Sequence, residues 1–216
     1  MAAIRSEAWG DRATAPRLLL MSRENHELRR RRIADIVLRV ITEQGLEAAT
    51  VRRIAAEVGY STAVVTYYFA DKNDLLLSAF RALGEGNLAR YEKFIASDPP
   101  DLISYLVSMS ALEASDGSAW KACIAFWDRS LRDEVFAAEL RKWVEQVLDR
   151  IASFIALIAP HHGLDRELAR RAATQLFDFV QGASTHLLFD ADCWTLDQFR
   201  IALQREIAAL VPGAAL

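Results

Sequence analysis

The sequence predicts an all-α protein of about nine helices, arranged as an N-terminal three-helix unit followed by a larger C-terminal helical bundle. Three observations carry that expectation. Apolar residues recur at i, i+3, i+4 and i+7 through most of the chain, Gly, Pro and Asp breaks fall at helix-length intervals, and no strand-type alternation lasts more than a few residues. With 216 residues, 52% of them hydrophobic, there is ample apolar surface for one long or two modest cores.

The elements follow in order. Residues 1–22 lack a sustained apolar period and contain Gly10 and Pro16, so an arm is expected there, with Met21 a candidate alternative start. From Glu24 the pattern turns helical, with Ile33, Ile36, Val37, Val40 and Ile41 on one face and Gly45 stopping the helix after Gln44. Thr50 caps a short second helix carrying Ile54, Ala55 and Val58, Gly59 ends it, and Ser61 caps a third at once. Two short helices joined by a tight glycine turn are the layout of a helix-turn-helix, although a plain bundle corner has the same spacing. In either arrangement Ile54, Val58, Val64 and Phe69 are expected to close the small core. Asp71 then caps a long helix, Lys72–Ile95, which the stretch from Ser97 to Pro100 ends. Further helices are expected over 102–113, 119–131, 134–158, 166–189 and 196–210.

Charge is distributed unevenly. Residues 1–72 hold 12 Lys and Arg against 9 Asp and Glu, whereas the remainder holds 14 against 20, so the front third is the basic part of a chain of net charge -3. No apolar run approaches the ~20 residues that span a bilayer, and no segment resembles a signal-peptide core, which predicts a cytoplasmic protein without a membrane partner. Cys123 and Cys193 fit no metal-type spacing and are expected as buried thiols rather than a disulfide. His161 and His162 are adjacent, His26 and His186 lie elsewhere, and there is no Glu-x-x-His pair, Gly-rich phosphate loop or GxSxG elbow. No cofactor and no metal are expected. The alternatives to a DNA-binding regulator are a helical enzyme, which these absences disfavour, and a helical interaction scaffold.

The stretch 50–74, TVRRIAAEVGYSTAVVTYYFADKND, resembles the signature of the tetracycline-repressor (TetR) family, with Ile54-Ala55, Gly59, Ser61, Tyr68-Phe69 and Lys72 at that family's offsets. A weaker likeness to the choline-responsive BetI type of C-terminal domain lies in 120–128 and 176–188. The resemblance implies a helix-turn-helix DNA-binding domain over 23–71 and a ligand-binding and dimerisation domain over 72–216. It also implies a repressor that a small-molecule effector releases from double-stranded operator DNA, working as a homodimer. The DNA-binding positions that it implies are Thr62, Ala63, Thr66 and Tyr67 toward base edges, Tyr68 and Lys72 toward phosphate, and Thr50 and Arg52 at the start of the second helix. Thr66 stands where many members have an aromatic, and Tyr60 replaces a small aliphatic residue. Of the run from Arg29 to Arg32, at most two side chains can face DNA together.

In the second domain Trp120, Phe126, Trp127 and Trp143 sit near Tyr105 and Met109, as a packed core or as the wall of a ligand pocket. An aromatic cage with Asp128 nearby would suit a cation. Leu176, Val180, Ala183 and Leu187 form an apolar stripe containing Gly182. With Phe199 and Leu203 of the last helix, that stripe is expected to build a four-helix dimer interface.

Overall fold

The computed structural model describes residues 14–113, 118–159 and 165–212, with side chains from His26 onward except at Ser118. Nine α-helices, and no strand, occur among the described residues. They are α1 (Thr14–Gln44), α2 (Val51–Val58), α3 (Thr62–Tyr68), α4 (Lys72–Ile95), α5 (Leu102–Ser108), α6 (Ser118–Ser130), α7 (Glu134–Ile158), α8 (Arg166–Leu187) and α9 (Leu196–Leu210). A 3-10 turn, Leu46–Ala48, joins α1 to α2.

Two spans differ from expectation. The arm expected over 1–22 lies outside the described residues up to position 13, but from Thr14 onward the chain is helical. Pro16 falls in the first turn, where its missing N–H leaves no bond unmade, and the Leu-Leu-Leu-Met run after it consists of strong helix formers. The lack of a sustained apolar period there does not exclude a helix. At the other difference, α5 stops at Ser108 rather than continuing to 113. The Ser108 and Ser110 hydroxyls donate to the carbonyls of Tyr105 and Val107, both at 2.7 Å, and the Ala111 amide turns to Ser184 Oγ at 3.1 Å. Tertiary partners thus replace the next helical turn.

The core has two clusters. The first joins Ile33, Val37 and Ile41 of α1 to Ile54, Val65, Phe69 and the start of α4, and takes in Ala122, Phe126 and Phe136 from α6 and α7. The second fills the space among α5, α7, α8 and α9 around Tyr105, Ile151, Phe154, Leu176, Phe199 and Leu203. Helix α4 serves both clusters: Leu75, Leu76 and Phe80 pack in the first, and Tyr91 and Phe94 pack against the second. The N-terminal unit therefore has no gap between it and the bundle.

Candidate functional site

Helix α3 is set by its ends. Gly59 closes α2 at φ 72°, a left-handed conformation that glycine adopts without a Cβ penalty. Two residues later Ser61 Oγ accepts from the Val64 amide at 3.3 Å, and Thr50 Oγ1 does the same for Arg53 at the start of α2 at 3.2 Å. Val65, fully buried, anchors α3 in the core, while Val64 is exposed. The expectation that Val64 closes this core was one residue out of register, because the chain offers two valines in succession and only the tertiary packing selects between them.

That register turns the expected positions outward. Thr62, Ala63, Thr66 and Tyr67 are all exposed, as are Thr50 and Arg52, and Tyr67 retains 74% of its surface. The Thr66 hydroxyl donates back to the carbonyls of Thr62 and Ala63, each at 3.1 Å, leaving its methyl and its acceptor lone pairs free to face a partner. Tyr68 is buried apart from its hydroxyl edge, where the phenol oxygen accepts from Arg29 Nη1 at 3.1 Å. His26, which sequence patterning did not single out, packs against Tyr68 at 4.7 Å and edge-on to Tyr67 at 5.9 Å, so α1 buttresses the end of α3. Of the arginine run, Arg30 is spent internally. It bonds Asp74 Oδ1 at 3.1 Å and the Tyr68 carbonyl, and it stacks 4.5 Å from the Phe69 ring. Arg31 pairs with Glu85 of α4 at 3.1 Å.

Lys72 opens α4 beside α3. Its ammonium lies 2.9 Å from Glu47 Oε2, and that hydrogen bond holds the Glu47 carboxyl below its ordinary range. Asp71 caps the helix through the Asp74 amide at 2.8 Å. Asp74 Oδ2 in turn accepts from the Ala70 amide at 3.1 Å, fixing the turn between α3 and α4.

A second concave site lies among α4, α5, α6, α7 and α8. This cavity of about 110 Å³ has Met109, Trp120, Trp143 and Phe177 on its apolar side and Asn87 and Arg90 of α4 on its polar side. Three of the six expected pocket residues, Met109, Trp120 and Trp143, line it. The other three do not. Tyr105 is fully buried behind Asn87, to whose Oδ1 it donates at 3.1 Å; Phe126 belongs to the interdomain core, 5.2 Å from Phe80; and Trp127 supports Trp120 edge-on at 5.4 Å. Asp128 is exposed, paired with Arg132 at 2.6 Å, and is no part of the cavity wall. The lining residues Asn87, Arg90, Cys123 and Gln181 carried no sequence signal, since they come from separate helices and meet only in the fold. Both cysteines are free, and half-buried rather than buried; Cys123 faces the cavity wall, where burial pushes its thiol up to about 12.

The stripe expected to form the dimer interface is part of the protomer's own core. Leu176, Val180, Ala183, Phe199 and Leu203 are buried against α5 and α7, and Leu187 is half-buried. Gly182 alone of that set faces outward, with nothing within 4 Å of where a Cβ would stand. The stripe had to be covered by something, and sequence period cannot say whether the cover comes from the same chain or another.

Comparison with known proteins agrees with this geometry. Residues 35–79 match the family model of bacterial regulatory proteins of the tetR family, and residues 102–212 match the BetI-type transcriptional repressor C-terminal domain. The HTH-type transcriptional regulator BetI of Escherichia coli is 28% identical over 160 residues, covering 72% of this chain and 80% of that protein. BetI of Stenotrophomonas maltophilia is 27% identical over 159 residues, with 72% and 79% covered. Among solved structures, a transcriptional regulator from Rhodococcus sp. Rha1 superposes with a TM-score of 0.72 at 23% identity, covering 87% of this chain and 98% of that one. A putative transcriptional regulator from Saccharomonospora viridis, solved in complex with choline, gives 0.68 at 22% identity, with 84% and 96% covered. A helix-turn-helix with its recognition face bare, carried on a bundle of the matching type, places this chain in the TetR family of DNA-binding transcriptional regulators, with a BetI-type C-terminal domain.

Proposed function

We propose that the chain is a cytoplasmic repressor that works as a homodimer, with residues 23–71 binding operator DNA and residues 72–216 binding an effector and the second protomer. Each α3 lies in a major groove with Thr62, Ala63, Thr66 and Tyr67 toward base edges, while Tyr68, Lys72, Thr50 and Arg52 meet the flanking backbone, joined by Arg29. The dimer uses the outer faces of α8 and α9, where Gly182 and Ile201 are exposed.

The observation that carries the switch is the double contact of α6. It lines the cavity with Trp120 and packs directly on α1 and on the 3-10 turn before α2. Trp143 makes a second link, with its ring 6.1 Å from Phe177 at the cavity and 6.4 Å from Phe80 in the interdomain core. An effector that moves these aromatics shifts α4 and α6, and with them the separation of the two α3 helices, which must be ~34 to 36 Å to meet successive grooves. A preference of ~2 to 3 kcal/mol for another spacing lowers operator affinity roughly 30- to 150-fold.

The test is selection of genomic fragments by the purified protein, followed by a metabolite screen for release. Enrichment of a two-fold symmetric site, released by a compound that operator DNA displaces by the same factor, supports the reading. Indiscriminate DNA binding, or none, sinks it.

A further inference from the structure

The cavity has an unbalanced set of polar groups. One N–H donor of its lining, Arg90 Nε, is buried and has no acceptor; Trp143 Nε1 is also without one, but that edge of the indole lies against Gly84, which is not part of the cavity wall. Among the acceptors nearby, Asn87 Oδ1 receives both the Tyr105 hydroxyl at 3.1 Å and Arg150 Nη1 at 2.7 Å, and Ser184 Oγ receives the Ala111 amide. The Ser108 hydroxyl donates to a backbone carbonyl, and the Ser110 hydroxyl donates to one and already receives the Leu112 amide at 3.2 Å. A buried donor with no partner costs ~1 to 3 kcal/mol, more when it belongs to a charged group, and folded proteins rarely keep one without reason.

Charge points the same way. Arg90 has no ion-pair partner among the described residues, and Arg150, bonded to the same Asn87, has none either. The sole carboxylate among the described lining residues, Glu113, is exposed to solvent. The Cys123 thiol and the Tyr105 phenol are neutral near pH 7 at their ordinary values, and burial pushes each further up, to about 12. Asp128, the carboxylate that would have made a cation cage, is on the outside with Arg132.

Given the reading of this cavity as the effector site, we propose that its ligand is a compact organic anion, with an apolar body against Trp120, Trp143 and Phe177 and a carboxylate-type group accepting from Arg90, and not a quaternary ammonium. The guanidinium supplies the missing charge complement, and the aromatic walls select for shape.

Calorimetric titration of the DNA-free full chain with three compounds of one shape tests this: pivalate, neopentyl alcohol and choline, which share a trimethyl-substituted head and carry negative, no and positive charge. Pivalate is expected to bind about tenfold more tightly than neopentyl alcohol, with choline weakest. Arg90→Gln should erase the advantage of pivalate over the alcohol, and a cooperative thermal melt like that of the wild type shows that the variant is folded. Choline binding best, or pivalate binding that Arg90→Gln does not weaken, would overturn the anion and leave the effector reading intact. No binding by any of the three would also overturn the anion proposal, while the effector reading is judged separately by metabolite release of operator DNA.

Discussion

At the scale of single residues, Lys72 has two competing partners. Its ammonium is bound to Glu47 at 2.9 Å, and under the proposed docking a DNA phosphate would have to replace that carboxylate. Two opposite outcomes follow for one surface pair. Lys72→Ala should weaken binding to specific and random DNA alike and reduce the slope of log affinity against log salt by about one unit, as loss of one phosphate contact does. Glu47→Gln should tighten binding on both kinds of DNA, because it removes a competitor and a negative charge facing the backbone. Fluorescence anisotropy over a salt series measures both, and a Lys72→Ala protein with an unchanged slope would take Lys72 out of the interface. Changes at Tyr67 should behave differently, altering which sequences are preferred, since the proposed docking turns this exposed α3 side chain toward base edges. The positions proposed for these roles were legible in the sequence because the family signature sets them by offset. The restraint by Glu47 was not, because it lies 25 residues away and becomes a neighbour only when the 3-10 turn folds back.

At the scale of elements, α4 is fastened to α7 by one bidentate pair. Arg81 donates to both Glu139 oxygens, at 3.0 and 2.9 Å, and this holds the Glu139 carboxyl below its ordinary value of 4.5. A group whose folded value is depressed stabilises the fold above its unfolded value and loses that contribution as pH falls through the folded one. Arg81→Gln should therefore lower stability near neutral pH by ~0.5 to 1 kcal/mol, a figure kept small because Arg81 is half exposed. The gap should close below the ordinary carboxylate range. Urea midpoints measured across pH decide it: a gap that persists in acid belongs to the packing of the Arg81 stem and not to its charge. Helix spans such as Lys72–Ile95, Glu134–Ile158 and Leu196–Leu210 were readable from caps and breaks, which are local chemistry. The end of α5 was not, because Ser184, 73 positions downstream, takes over the Ala111 amide. The cavity was half-readable for the same reason: its tryptophans announce themselves by type, whereas Asn87 and Arg90 gain meaning only when five helices converge.

At the scale of the whole molecule, the question is what covers the outside of α8 and α9. Their inner stripes are used within the protomer, so any partner must meet the opposite face, where Gly182 is bare, Leu168 and Ile201 are each about half exposed and Phe189 retains 83% of its surface. A glycine in a helix interior costs ~1 kcal/mol relative to alanine, and among the described residues nothing makes use of the space that it leaves. Close approach of a second α8 would use it. Gly182→Ala and Gly182→Leu separate the two possibilities, because both should fold as well as the wild type or better in the protomer, where a new side chain meets no atom. Across a helix–helix contact the leucine instead forces the backbones apart, at ~1 to 3 kcal/mol per copy, and the two-fold axis applies that penalty twice. Gly182→Leu should therefore keep its helical circular dichroism and melt cooperatively, yet sediment as a lighter species and lose most of its operator affinity, because a single α3 reads only a half-site. Unchanged sedimentation would move the dimer contact off this face of α8, and a monomer that still holds operator DNA at full affinity would remove the dimer from the mechanism altogether.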